Sequence, residues 1–238
     1  LTAAGAQLLS HGLEAETAMD AGQGLTRADV VAGTVRISAA EGFGGVILAP
    51  ALPALRAARP GLNIELAASS GFLSPSRREV DMAVTLAAPD GSRLIVEPLT
   101  AYQLALYASP DYLARRGAPR DVGELRGHDI VGYVDDLIYA PELRYLDEVS
   151  PGLTPHLASS SIRAQRDIIE AGGGVGVLPC FMAGGLVRIL DEVLLERRFW
   201  VSTHKEVHGA ARVRAVRHWL DAECRARSDR LSPFPARA

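Results

Sequence analysis

Short apolar segments typical of buried strands alternate along the chain with helix-like segments, and this order constrains the fold more than any other feature. Residues 34–38, 63–67 and 81–86 have strand character, and Leu48, Leu52 and Leu55 lie at helical spacing between the first two segments. Parallel strands need a crossover connection, which a helix usually supplies. The sequence therefore predicts an α/β fold with a mostly parallel sheet covered on both faces.

The second half of the chain repeats the same order. Ser109 precedes a proline, as at many helix starts, and three glycines from Gly172 to Gly174 end a predicted helix. Two prolines near the C-terminus favour a disordered tail over residues 228–238. We predict strands at 102–108, 130–134, 175–179 and 199–203, and helices at 162–171 and 211–224.

Residues 1–32 precede the first predicted strand and are rich in Ala, Leu and Glu. Apolar and small residues recur there at a loose heptad spacing, which favours a linker helix that packs against a partner helix. Gly12 and Gly22 weaken the pattern, so a solvated or frayed helix is the alternative. The heptad positions are Ala4, Leu8, His11, Ala15, Ala18, Gly22 and Leu25.

The formal net charge of −3 leaves no surplus of basic residues for a polyanion, so we expect no specific DNA binding by this polypeptide alone. Cys180 and Cys224 lie far apart without metal-ligand spacing, which indicates free thiols in a reducing compartment. The sequence has neither a bilayer-spanning apolar run nor a signal-peptide pattern. We therefore expect a cytoplasmic protein with no membrane partner.

Common catalytic and cofactor motifs are absent from the sequence. The glycine-rich run 172–177 places Val177 where a dinucleotide fingerprint needs its third glycine, and it precedes a strand instead of a helix. His204 and His208 lie where a predicted strand passes into a loop, which disfavours helical metal geometry. We expect no catalytic residue, no cofactor and no metal site.

Short polar side chains stand at the ends of predicted strands and at a predicted helix start, the edge where open α/β sheets bind ligands. Hydroxyls and free helix N–H groups at this edge suit a carboxylate or another small anion. Each residue has the alternative role of a helix cap or turn former. The candidates are Ser38, Ser69, Ser70, Thr85, Ser159, Ser160 and Ser161.

Several stretches resemble the LysR-type bacterial transcriptional regulators, and the resemblance covers nearly the whole chain. The shared order and spacing make it specific, because each motif alone is weak. Two departures are Arg77-Arg78, where small or apolar residues are usual, and Gln165, where the sensor helix is commonly apolar. The motifs are Leu1-Thr2-Ala3-Ala4-Gly5, Gly33-Thr34-Val35-Arg36-Ile37, Leu52-Pro53-Ala54-Leu55 with Arg59-Pro60, Asp81-Met82-Ala83-Val84, Ala108-Ser109-Pro110-Asp111-Tyr112-Leu113, and residues 171–179 with their Gly-rich start and Leu178-Pro179 end.

The resemblance implies two Rossmann-like lobes of type 2 periplasmic-binding-protein architecture joined by two crossing strands. Residues 1–32 would form the linker helix and hinge, residues 33–97 plus 203–227 the first lobe, and residues 98–202 the second. The winged helix-turn-helix domain of the family would end where this chain begins. The expected function is therefore the effector-sensing and oligomerisation region of a DNA-binding regulator.

The resemblance also implies an effector, favoured to be an organic acid, in the cleft between the lobes. The other expected partners are further copies of the same chain in a homodimer or homotetramer, operator DNA bound through the helix-turn-helix domain, and RNA polymerase. The implied ligand contacts are Ser38, Ala39, Ser69, Ser70, Thr85, Tyr133, Asp136, Ser159, Ser160, Ser161 and Ser202.

Asp135 and Asp136 allow two interpretations beside this cleft, which Tyr133 or Tyr139 would flank on the same model. The favoured one is a cap for the stretch that starts at Leu137. A carboxylate that faced the cleft would instead favour an amine or a donor-rich ligand over a simple acid.

Two other classes of protein share this scaffold. A free-standing solute-binding protein for transport is the main alternative, although the predicted linker helix and the lack of a signal-peptide pattern argue against it. An enzyme such as a deaminase would need a nucleophile–base pair, which the sequence does not indicate.

Overall fold

The computed structural model describes residue 11, residues 31–69 and residues 74–235, so most of the predicted linker helix and Ser70 lie outside the described residues. One eight-stranded sheet runs through the described chain in the order β2-β1-β3-β8-β4-β7-β5-β6. The strands are β1 (Gly33–Ala40), β2 (Leu62–Ser69), β3 (Met82–Thr85), β4 (Leu94–Ala108), β5 (Ile130–Gly132), β6 (Leu157–Ala158), β7 (Val175–Pro179) and β8 (Val187–His204).

Helices pack against this sheet, and their apolar faces follow the helical period. In α7, Val213, Val216, Leu220 and Cys224 are all buried, as a helix lying on a sheet requires. None of the described helices is both long and apolar enough to cross a membrane. The α-helices are α1 (Glu41–Phe43), α2 (Leu52–Ala58), α3 (Pro110–Arg116), α4 (Tyr145–Val149), α5 (Ile162–Glu170), α6 (Lys205–His208), α7 (Ala211–Ala226) and α8 (Ser228–Leu231).

Two parallel strand groups lie at opposite ends of the sheet. We call the part built on β1–β3 the first lobe, where β1 pairs in parallel with β2 and β3. The part built on β5–β7 is the second lobe, where β5 pairs in parallel with β6 and β7. The predicted α/β fold with two lobes is confirmed.

The long antiparallel strands β4 and β8 connect the lobes. They pair from Leu94 opposite His204 to Ala108 opposite Val187, with a register shift between Pro98 and Thr100. These are the two crossing strands. The predicted strands 102–108 and 199–203 cover only part of them, because the half-exposed crossing region lacks a continuous apolar run. β8 joins the first-lobe strand β3 at Trp200, whereas the predicted boundary of that lobe is residue 203.

The chain turns through a composite helical segment at 41–58. α1 is followed by a π-helical turn at Gly44–Leu48 and a 3-10 turn at Ala49–Ala51 before α2 begins. Pro50 and Pro53 lack the N–H groups that a regular α-helix would use, so the hydrogen-bond pattern changes around them. The regular α-helix therefore begins only at Leu52, next to these prolines.

The C-terminal segment corrects one prediction, since the tail expected to be disordered is ordered over residues 228–235. Leu231 of α8 is completely buried in the core. Gln103 donates to the Phe234 carbonyl oxygen at 2.9 Å and accepts from its backbone N–H at 3.0 Å, and the Arg188 guanidinium lies 3.7 Å from the Phe234 ring centroid. Ordering this segment costs conformational entropy, and these contacts offset that cost. The composition of the segment does not reveal such contacts.

Candidate functional site

Two adjoining cavities lie where the first and second lobes face each other, and both lobes line each of them. The first, which we call the aromatic cavity, has a volume of about 30 Å³. The second, the larger pocket, has a volume of about 290 Å³. Leu86 and Tyr139 line both cavities, so the two spaces form one continuous candidate site.

Aromatic side chains from both lobes and both crossing strands form the walls of the aromatic cavity. The Tyr102 and Phe199 rings stack with centroids 4.1 Å apart, and the Phe43 centroid lies 4.5 Å from that of Phe199. At about 30 Å³ the cavity has room for a single water molecule in this conformation. The aromatic lining is Phe43, Tyr102, Tyr133, Tyr139, Tyr145, Phe181 and Phe199.

The tyrosine hydroxyls of this cavity stay neutral at physiological pH. Burial raises the pKa of Tyr102, Tyr133 and Tyr145 well above the usual value for a phenol. Burial also raises the pKa of Tyr139 to about 12. The lining therefore offers neutral rings with electron-rich faces.

Glu41 connects the two lobes at the edge of the aromatic cavity. It follows β1 directly, and its carboxylate accepts hydrogen bonds from Ser161 Oγ at 2.7 Å and from the Ile162 backbone N–H at 3.1 Å. Ser161 is the N-cap of α5, and its Oγ accepts from the Ala164 N–H. The positive end of the α5 dipole is thus already occupied by a carboxylate of the chain itself.

The absence of a side chain at Gly42 allows this close approach. A Cβ atom there would lie 2.5 Å from Met182 Sδ and 3.4 Å from Ile162 Cγ2, both in the second lobe. Because Gly42 leaves that space to Met182 and Ile162, the neighbouring Glu41 reaches the start of α5.

Replacing Glu41 with alanine is expected to lower the free energy of unfolding by about 1–2 kcal/mol, the cost of losing a charged helix-capping contact. Urea denaturation followed by circular dichroism measures the change. Glu192→Ala is the matched control, since this exposed glutamate on β8 lines neither cavity. Equal effects of the two substitutions would contradict the assigned contact.

Two polar groups of the larger pocket, on Thr85 and Glu142, offer lone pairs that can accept hydrogen bonds. Thr85 Oγ1 donates its proton to the Ala87 carbonyl oxygen at 2.7 Å, which leaves its lone pairs free. Glu142 Oε2 and Ser202 Oγ are buried and have no hydrogen-bond partner among the described residues. Ser202 is completely buried. The remaining lining has two further hydroxyls, those of Ser74 and Tyr139, and is otherwise apolar: Pro75, Ala83, Leu86, Ala87, Ala88, Pro89, Leu94, Ala140 and Pro141.

The structure brings four of the predicted contact residues to the two cavities. Tyr133 and Ser160 line the aromatic cavity, and Thr85 and Ser202 line the larger pocket. Ser159 and Ser161 stay beside the cavities as part of the α5 start, where Ser159 Oγ accepts from the Ser161 N–H. Three of the other predicted contacts, Ser38, Ala39 and Ser69, lie near the ends of β1 and β2 and line neither cavity.

The paired aspartates do not face either cavity. Asp135 forms an ion pair with Arg144 at 2.6 Å, and both Asp135 and Asp136 are exposed. The predicted cap for a stretch starting at Leu137 is also wrong, because the 3-10 helix already begins at Asp135 and Val134 is its N-cap. The two carboxylates stand in the first turn of that helix and not before it.

Gln165 and the histidine pair have structural roles. Gln165 is buried and donates to the Ser159 carbonyl oxygen at 2.8 Å, which fixes the loop before α5. His204 Nδ1 accepts from the Glu206 N–H, and His208 Nδ1 lies 2.8 Å from Thr203 Oγ1. No group of three or more metal-ligating side chains occurs within the described ranges.

Sequence reasoning missed Glu41, Glu142 and most of the aromatic lining. Glu41 stands directly after β1, at the kind of strand end where the candidate contacts predicted from position were hydroxyl-bearing residues only. Aromatic residues are few in this chain, which has five Phe, six Tyr and two Trp. Seven of these side chains meet in one cavity, a concentration that only the fold produces.

The family of the chain follows from a match to the family model described as the LysR substrate binding domain, which covers residues 28–225. The chain belongs to the LysR substrate-binding domain family. This membership confirms the resemblance, and the described residues therefore form an effector-sensing domain of the LysR type. The comparisons give no support to the alternative of a transport solute-binding protein.

Relatives and solved structures of this family agree with the assignment. The chain is 27% identical over 171 residues to the HTH-type transcriptional regulator CrgA of Neisseria meningitidis, covering 69% of this chain and 57% of CrgA. It is 28% identical over 243 residues to the HTH-type transcriptional activator TtdR of Escherichia coli, covering 95% of this chain and 77% of TtdR. This chain thus spans little more than half of the CrgA sequence.

The fold matches that of the CrgA regulatory domain from the same organism. The TM-score is 0.72 at 24% identity, and the match covers 81% of this chain and 98% of that structure. At this identity the likeness establishes the two-lobed fold only. The ligand of this LysR-type domain has to be inferred from the residues that line its own cavities.

Proposed function

We propose that this LysR-type domain binds a small polar organic effector between its lobes and passes the change in lobe geometry to a DNA-binding helix-turn-helix domain outside these 238 residues. The observation that carries the proposal is the pair of adjoining cavities lined by both lobes. A ligand that contacts both walls binds one relative arrangement of the lobes better than another, and so shifts their equilibrium.

The crossing strands β4 and β8 are the expected pivot, because they connect the two lobes of the domain. In this proposal the first lobe comprises residues 33–97 plus 203–227, and the second comprises residues 98–202. Residues 1–32 serve as linker helix and hinge. Self-association as a homodimer or homotetramer then presents two DNA-reading domains to a two-fold-symmetric operator.

The rest of the proposed assignment concerns the whole regulator. It acts without catalysing a reaction, which the cavity lining supports, since the part of that lining that the structure describes contains no histidine, cysteine or lysine. It works in the cytoplasm, where operator DNA and RNA polymerase are available and where the free Cys180 and Cys224 would stay reduced.

The proposed ligand contacts begin with the four predicted residues that line the cavities: Tyr133, Ser160, Thr85 and Ser202. Ser38, Ala39, Ser69, Ser70, Asp136, Ser159 and Ser161 remain predictions from the family resemblance. The organic acid expected as effector also remains a prediction. It was expected to bind the N–H groups at the start of α5, but Glu41 already occupies that position.

Replacing Ser202 with alanine separates ligand binding from folding. The substitution removes a buried hydroxyl without a partner, so the free energy of unfolding should stay the same or rise by up to about 1 kcal/mol. Effector binding should weaken by roughly tenfold or more, because a bond to a polar ligand is lost. A thermal-shift screen of small organic compounds identifies the binder, since a ligand at about 100 times its Kd adds about 2.7 kcal/mol of stability.

Titration of that binder into the parent and the Ser202→Ala variant then gives the two affinities. Equal affinities, or a crystal structure with the binder away from both cavities, would overturn the proposed site. Failure of every screened compound to stabilise the domain would count against effector sensing between the lobes.

A further inference from the structure

The charge of the cavity lining indicates a class of ligand that the family alone does not specify. Glu41 lines the aromatic cavity and Glu142 lines the larger pocket, whereas none of the described residues that line either cavity is a lysine, arginine or histidine. A carboxylate ligand would therefore enter a site that already holds two negative groups and no positive side chain. Desolvating an anion there is costly, because no positively charged side chain of the described lining contacts it.

The helix start expected to bind an anion is occupied by Glu41. Helix N-termini bind anions through free N–H groups, but Glu41 already accepts from the Ile162 N–H and from Ser161 Oγ. An acid would have to displace this contact between the lobes. The cavity would then contain both the acid and the released Glu41 carboxylate.

The unpartnered atoms of the larger pocket call for a donor. Glu142 Oε2 is a buried carboxylate oxygen that accepts no hydrogen bond from a described residue, and the hydroxyl proton of Thr85 is already donated to Ala87. The fully buried Ser202 Oγ, also unpartnered, lines the same space. Buried polar groups are normally hydrogen-bonded, so these atoms mark a position for an N–H-bearing group.

We propose that the effector of this domain is a small organic amine, bound as its ammonium ion in the larger pocket with the cationic group on Glu142, Thr85 and Ser202. Its apolar body packs on the surrounding prolines, alanines and Leu94, and the volume of about 290 Å³ admits on the order of ten non-hydrogen atoms. Tyr139, shared with the aromatic cavity, adds a neutral ring that attracts a cation by the cation–π effect. The inference rests on the proposed effector-sensing role.

The test uses matched compounds that differ in charge. Benzylammonium and cyclohexylammonium are titrated calorimetrically into the 238-residue chain, beside benzoate, cyclohexanecarboxylate and the neutral benzyl alcohol. Primary amines are protonated at neutral pH, as lysine is with a pKa of about 10.4. We expect binding by at least one ammonium compound, and at least tenfold weaker binding by the acid of the same shape.

Glu142→Gln should weaken ammonium binding by tenfold or more, because it removes the charge and keeps the shape of the side chain. Glu192→Gln makes the same chemical change at an exposed position away from the cavities and should leave the affinity unchanged. Circular dichroism verifies that each variant is folded. Glu142→Lys provides a second readout, since it should lose ammonium binding and gain affinity for the acids.

Two results would overturn the amine assignment: no ammonium binding at millimolar concentration, or the same ammonium affinity in the parent and Glu142→Gln. Stronger binding of benzoate than of benzylammonium would also overturn it. That last result would leave effector sensing in place if the benzoate affinity fell in Ser202→Ala. The failure of the ligand class is thus distinguishable from the failure of the proposed function.

Discussion

Replacing Phe199 with alanine should lower the free energy of unfolding by about 3–5 kcal/mol, the cost of removing a large buried aromatic side chain. Phe199 is 2% exposed. Its ring packs against Tyr102 at 4.1 Å, Phe43 at 4.5 Å and Phe181 at 6.4 Å between centroids. Because it lies on the crossing strand β8 and contacts the first-lobe Phe43, its loss weakens the junction of the lobes as well as the core.

Urea denaturation of the parent and the variant measures this difference, provided that the slope with denaturant stays the same. Leu137→Ala is the control, because Leu137 is 55% exposed and its truncation should change stability by no more than about 0.5 kcal/mol. A loss below about 1 kcal/mol for Phe199→Ala would show that the aromatic cluster collapses to refill the space, contrary to the close packing described.

Local signals in the sequence were sufficient for the ordinary parts of the fold. Ser109 accepts from the Tyr112 N–H as the N-cap of α3, as its position before Pro110 predicts. Gly172, with φ of 82°, ends α5 through bonds from the Gly172 and Gly173 N–H groups to the Ile169 and Ile168 carbonyls. These features depend on a few neighbouring residues, so one sequence contains the information they need.

The candidate site depends on contacts between distant parts of the chain, and here the prediction was less complete. Glu41 and Ser161 are separated by 120 positions, and no local pattern connects them. The strand-end hydroxyl rule selected Thr85 and the family resemblance selected Ser202, and both side chains line the larger pocket. These rules could not reveal that the acidic residues Glu41 and Glu142 would line the same cleft, with no basic side chain among the lining residues that are described. The charge of the ligand is therefore better inferred from the side chains that line the folded cleft than from the residues at predicted strand ends.

Gly174 shows the same difference between local and tertiary information within one motif. The glycines at 172–174 predict a helix stop, but Gly174 itself lies beyond the stop with φ of 145°, a conformation that is essentially restricted to glycine. A Cβ atom at this position would lie 2.2 Å from the Asp129 carbonyl oxygen and 2.8 Å from its carbonyl carbon. The Asp129 oxygen is held in place by a 2.8 Å bond from the Val175 N–H.

Gly174→Ala should therefore destabilise the protein by about 2–6 kcal/mol, since backbone strain and overpacking each cost about 1–3 kcal/mol. The clash separates β5 from β7, which pair in parallel from Ile130 opposite Val175, so the second lobe should open first.

Gly184→Ala is the control: a Cβ there meets no atom within 4 Å, and stability should change by less than about 1 kcal/mol. Urea denaturation compares the two variants, and hydrogen exchange locates the loss. Equal stability of the two variants, or unchanged protection of the β5 and β7 amides in Gly174→Ala, would mean that the backbone at Asp129 moves aside without cost, contrary to the clash expected from the Cβ distances.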